Sequence, residues 1–133
     1  MKSALYIVAI GVVISLTGCD LTNQGVLIGL PTVETVCVTP VSDGEVTSMF
    51  TRIKGEAFKD DKLARARMVT KDQCFKVNQV ITLMGAFSFE DNKLALAKDL
   101  YDQVIDRNQY DLVIDALVHK SNKDELRAFI ASQ

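Results

Sequence analysis

The chain has 133 residues, 48% of them hydrophobic, and a formal net charge of −2 at neutral pH. That length supports one modest hydrophobic core and leaves no room for a second domain of ordinary size. The mild acidic balance, with no basic stripe interleaved with aromatics, gives no electrostatic ground for binding DNA or RNA.

The first element reads as an export signal. A positive start, Met1-Lys2, precedes an almost wholly apolar run from Ala4 to Leu16, and the small residues Thr17 and Gly18 follow. These are the three parts of a secretory signal. A membrane-spanning helix needs roughly 20 apolar residues, and Thr17, Asp20, Asn23 and Gln24 arrive too early for one. The tetrad Leu16-Thr17-Gly18-Cys19 resembles the lipobox of bacterial lipoproteins. The resemblance implies cleavage before Cys19 and a diacylglycerol and acyl (palmitate) anchor on its thiol. It also implies an address in the cell envelope, on a bacterial membrane outside the cytoplasm. Each buried methylene contributes about 0.8 kcal/mol, so two or more acyl chains make the anchor effectively permanent. The bland alternative is a signal cut elsewhere or retained, with Cys19 an ordinary thiol. Asp20 resembles the inner-membrane retention residue of enteric lipoproteins, but that rule is not general, so the leaflet stays open. The expected organisation is a signal peptide over 1–18, a lipidated tether over 19–41 and a helical domain over 42–133.

Along the tether, Gly25, Gly29, Pro31 and Pro40 break any helical period. The stretch Val33 to Val38 is rich in β-branched residues, fit for a strand or for packing along the domain. Fully extended at about 3.4 Å per residue, the tether reaches about 75 Å. With Cys19 assigned to lipid, Cys37 and Cys74 remain in a compartment that permits disulfides. A bond between them would stabilise the fold by about 4 kcal/mol on the chain-entropy argument. The other reading makes Cys74 a small buried hydrophobe and Cys37 a free thiol.

Helical spacing begins at Ser42, where Ser42-Asp43-Gly44-Glu45 has the form of a capping box. Val46, Met49, Phe50 and Ile53 then recur at i, i+3, i+4 and i+7, the spacing of one helix face. Two longer helices are expected over Lys59–Gln73 and Glu90–Asp106. Between and after them the same spacing returns at Val77, Val80, Ile81 and Met84, and at Tyr110, Val113, Ile114 and Leu117. A second capping pattern, Ser121 with Asp124, announces a last helix carrying Leu126, Phe129 and Ile130. The fold class expected is all-α: about six helices in a compact bundle or short superhelix.

The two long helices expose an internal duplication. Phe58-Lys59-Asp60-Asp61-Lys62-Leu63-Ala64 aligns with Phe89-Glu90-Asp91-Asn92-Lys93-Leu94-Ala95 at an offset of 31, and Val77 to Met84 aligns with Tyr110 to Leu117 at an offset of 33. A period of that size denotes a two-helix unit that buries its apolar face on the next copy. Two units plus end helices are expected. On Phe87-Ser88-Phe89-Glu90-Asp91-Asn92-Lys93-Leu94, on the weaker copy at Phe58, and on Cys74 to Val80, the chain resembles a family of small helical domains known as domain of unknown function 4476. The resemblance runs from about Ser42 to Ile130 and implies no catalytic residues. The chain departs from that pattern at Lys76, where Thr or Ser is expected, and around Val118 and His119, where aromatic and serine residues are expected. Those departures put one helix cap in doubt.

Candidate sites are few. The acid pairs Asp60-Asp61 and Glu90-Asp91 could ligate a cation, but they also fall where first-turn acids complement a helix dipole. Asp111, Asp115 and His119, at i, i+4 and i+8, would share one helix face if the helix runs that far, a geometry able to hold a metal with help from elsewhere. The same residues belong on the solvent side, opposite Val113 and Ile114. Asp99, Asp102 and Asp106 form a similar stripe. His119 is the single histidine, and no nucleophile motif, phosphate loop or dinucleotide fingerprint accompanies it. The expectation is a non-enzymatic interaction module without a cofactor, anchored to a membrane by Cys19 and able to meet an envelope protein. The alternative is a small-ligand or metal-binding protein using Asp111, Asp115 and His119.

Overall fold

The computed structural model describes residues 36–133. Helix α1, Asp43–Lys54, starts where the capping box places it. The Glu45 amide donates to the Ser42 hydroxyl and the Ser42 amide to the Glu45 carboxylate, both at 3.3 Å. Its buried face is Val46, Met49 and Ile53. Burying each such side chain contributes roughly 1.5–3 kcal/mol. The far end of α1 is closed from outside, by the Lys62 ammonium donating to the Lys54 carbonyl at 2.7 Å.

Five further α-helices follow among the described residues: α2 Lys59–Thr70, α3 Val77–Met84, α4 Glu90–Leu100, α5 Asp111–Asp115 and α6 Lys120–Ala131. Short 3₁₀ turns lie at Tyr101–Gln103 and Arg107–Gln109. None of the described helices is long and apolar enough to cross a membrane. The packing partners alternate. Helix α3 lies between α1 and α5, α4 lies between α2 and α6, and each odd helix also packs on the even helix that follows it. The duplication therefore extends beyond two units to three stacked hairpins, α1–α2, α3–α4 and α5–α6. Ala66 and Ala97, at equivalent positions of α2 and α4, are both fully buried, and their small side chains let the even helices approach closely.

Both long helices are shorter than their periodicity suggests. Helix α2 stops at Thr70, and Asp72, at φ 59°, takes the left-handed conformation that turns the chain. Asp is among the residues that tolerate this conformation. Helix α4 stops at Leu100 because Val104 is claimed by a different partner. It forms a parallel bridge with Phe75, with the Phe75 amide donating to the Gln103 carbonyl at 2.8 Å and the Ile105 amide to the Phe75 carbonyl at 3.0 Å. Phe75 and Val104 are buried under that link. The last helix also begins earlier than the Ser121–Asp124 pattern indicates. Its first residue is Lys120, so Ser121 lies inside the helix and caps nothing.

Of the β-branched stretch, Val33 to Thr35 lie outside the described residues, and Val36 and Val38 are exposed and in no strand. Just beyond, the chain is already bound to the domain. The Val41 amide donates to the Cys74 carbonyl at 2.8 Å, and the Gln79 side-chain amide reaches the Val41 carbonyl at 2.9 Å.

Candidate functional site

Cys19 lies outside the described residues. Cys37 and Cys74 are joined by a disulfide, with their Cα atoms 5.4 Å apart. The bond fixes the segment entering the domain to the junction of α2 and α3, next to the buried Phe75.

The stripe Asp111, Asp115, His119 does not form. Helix α5 is only five residues long and ends at Asp115, while His119 is the residue that precedes α6. The chain turns between them because Leu117 is drawn into the core and the Val118 amide is held by Glu90, whose two carboxylate oxygens accept it at 3.0 and 3.1 Å. Among the described residues, no group of three or more His, Cys, Asp or Glu side chains stands close enough to hold a metal ion. The acid pairs Asp60-Asp61 and Glu90-Asp91 sit in the first turns of α2 and α4, where they face the positive end of each helix dipole. The other acidic stripe disperses into three separate structural contacts. Asp99 pairs with Arg67 at 2.6 Å, Asp102 lies 3.8 Å from Arg107, and Asp106 accepts the Val77 amide at 2.8 Å.

The Lys76 departure is resolved by those contacts. Lys76 supplies no side-chain cap to α3. Gln79 instead takes the Lys76 amide at 3.0 Å, and Asp106 takes the next one.

Among the described residues, a groove of about 340 Å³ lies across the even helices. Arg67 of α2 lines it, with Asp91, Leu94 and Lys98 of α4 and Asn122 and Glu125 of α6. Ion pairs tie its walls together, Arg67 to Asp99 and Lys98 to Glu125 at 2.5 Å. Asn122 is 8% exposed, and its side-chain nitrogen has no hydrogen-bond partner among the described residues. A second recess, of about 230 Å³, lies beside Tyr110 and Ile114 between Arg107 and Arg127. The Tyr110 hydroxyl donates to the Ala97 carbonyl at 2.5 Å, and burial, with smaller effects of Tyr101 and Asp102, pushes its ionisation well above the usual phenol range. A third, of about 110 Å³, opens at the starts of α2 and α4 beside Phe87 and Phe89. Phe58 and Phe89 precede those helices at equivalent positions, are 70% and 58% exposed, and provide no capping bond.

A family model described as Domain of unknown function (DUF4476) matches residues 40–130. The chain belongs to that family. The DUF4476 match covers α1 to α5 and all but the end of α6, and it contains Cys74 but not Cys37. No curated protein and no solved structure matches the chain. Within the DUF4476 domain, sequence reasoning overlooked Asn122, Glu90 as the holder of Val118, and Asp106 as the cap of α3. Asn122 had a signal. Asn122-Lys123 stands three residues after His119 as Asn92-Lys93 stands three residues after Phe89.

Proposed function

We propose that the chain is a membrane-anchored envelope lipoprotein whose helical domain is a non-enzymatic interaction module. The observation that carries the anchor is the succession of Lys2, the apolar run to Leu16 and the tetrad Leu16-Thr17-Gly18-Cys19. The Cys37–Cys74 disulfide supports an address outside the cytoplasm, since such bonds persist in oxidising compartments and are rare in reducing ones. The interaction reading is supported by the stacked two-helix units, an architecture that offers grooves between neighbours.

Intact mass and membrane fractionation of the protein from its native envelope, beside a Cys19→Ala variant, test the anchor. A native mass matching a chain that starts at Cys19 and carries acyl groups, with lipid and membrane association both lost in the variant, is the expected result. A freely soluble, unlipidated native protein would overturn it.

A further inference from the structure

Asn92 and Asn122 occupy the same position of successive even helices, the third residue after Phe89 and His119, the residues that precede α4 and α6. Both are more than nine-tenths buried. At the first joint the amide is used by the fold, since Asn92 Nδ2 donates to the Lys59 carbonyl of α2 at 3.0 Å. At the second joint Asn122 Nδ2 donates to nothing among the described residues. A buried donor without an acceptor destabilises a fold, and it occurs here at the wall of the groove that Arg67, Asp91 and Lys98 line. The partner at the first joint is a backbone carbonyl, so the chemistry missing at the second is that of a peptide.

We propose that the groove between α4 and α6 binds an extended segment of a partner protein that carries a basic side chain. This goes beyond the interaction-module reading, on which it rests, by naming the ligand class. Asn122 Nδ2 donates to a backbone carbonyl of the segment. The nitrogen is covered by protein, and a turn about χ2, a soft torsion, presents it to the groove. The charges select the side chain. Asp91, Asp99 and Glu125 stand against Arg67 and Lys98, and both cations are already paired, with Asp99 and Glu125. Asp91 is exposed and in no salt bridge among the described residues, which leaves one carboxylate for a lysine or arginine of the ligand. The groove's volume suits a few residues of chain rather than a folded surface.

The test is NMR of the isotope-labelled full chain in zwitterionic micelles, titrated to millimolar concentration with acetyl-Ala-Lys-Ala-Lys-Ala-amide or with its glutamate counterpart. The micelle accommodates the N-terminal segment whether or not Cys19 is lipidated, so failure here is separate from failure of the anchor. The lysine peptide is expected to shift the Asn122 side-chain amide and the backbone signals of Leu94 and Ala95, and the glutamate peptide to leave them in place. Asp91→Asn, an exposed and shape-preserving change, should weaken the response about fivefold or more, and Asn122→Leu should abolish the shifts at Leu94 and Ala95. No shift, equal shifts with both peptides, or shifts unchanged in both variants would overturn the proposal. So would an Asn122 amide in contact with a long-lived water and indifferent to peptide.

Discussion

The carboxylate of Asp106 accepts the backbone N–H of Val77 at 2.8 Å, capping α3 from 29 residues further along the chain. The residue in the capping place, Lys76, has no acceptor to offer. Asp106→Ala should therefore destabilise the domain by about 1 kcal/mol, the usual worth of a cap. Introducing Lys76→Ser into that variant should restore most of the loss. Urea midpoints of the two proteins check both statements.

Asn92 and Asn122 should answer substitution in opposite ways. Asn92→Leu removes the hydrogen bond to the Lys59 carbonyl and should cost about 1 kcal/mol. Asn122→Leu removes a donor that bonds to nothing and should be neutral or stabilising in the free protein. Equal losses in chemical denaturation would contradict the assignment.

Reduction of the Cys37–Cys74 bond releases a loop whose ends lie 37 residues apart. On the chain-entropy argument its loss costs about 4 kcal/mol. The Cys37→Ala/Cys74→Ala pair should show that difference against the oxidised protein in thermal or urea unfolding, with the helical content of the native baseline retained.

Tyr110 makes the domain sensitive to alkali. Its buried hydroxyl ionises well above the ordinary value of 10.0, whereas in the unfolded chain it ionises at that value. The unfolded state alone then gains by losing the proton, so stability is intact below pH of about 10 and falls as pH rises beyond it. Tyr110→Phe should lose about 1 kcal/mol at neutral pH with its hydrogen bond to Ala97 and should flatten that alkaline decline. Stability measured across the alkaline range distinguishes the two proteins.

What the sequence reveals is what neighbouring residues decide. The start of helix α1 and most of its buried face were legible because its cap and its apolar positions lie within the helix and its immediate flank. The ends of α2 and α4 were not, since Asp72 turns through a backbone conformation no pattern specifies, and Val104 leaves the helix to meet Phe75 across the fold. The start of α6 was misplaced for the same reason. Ser121 and Asp124 have the right spacing, but the Val118 amide is fixed by Glu90, 28 residues away. The three-residue stripe through His119 failed because α5 stops at Asp115. The groove stayed invisible because its walls come from three helices, although the repeat of Asn92 at Asn122 pointed to it.

The disulfide also determines how the domain meets a pull on its N-terminal end. Force entering at Val36 crosses at once from Cys37 to Cys74 and travels on through α3 to α6. Helices α1 and α2 lie within the covalent loop and carry no load. The first hairpin of the stack is thereby spared traction, and a stretched molecule would unravel from its middle onwards while that hairpin stayed slack. Reducing the bond would send the tension through α1 first and lengthen the chain that can be drawn out.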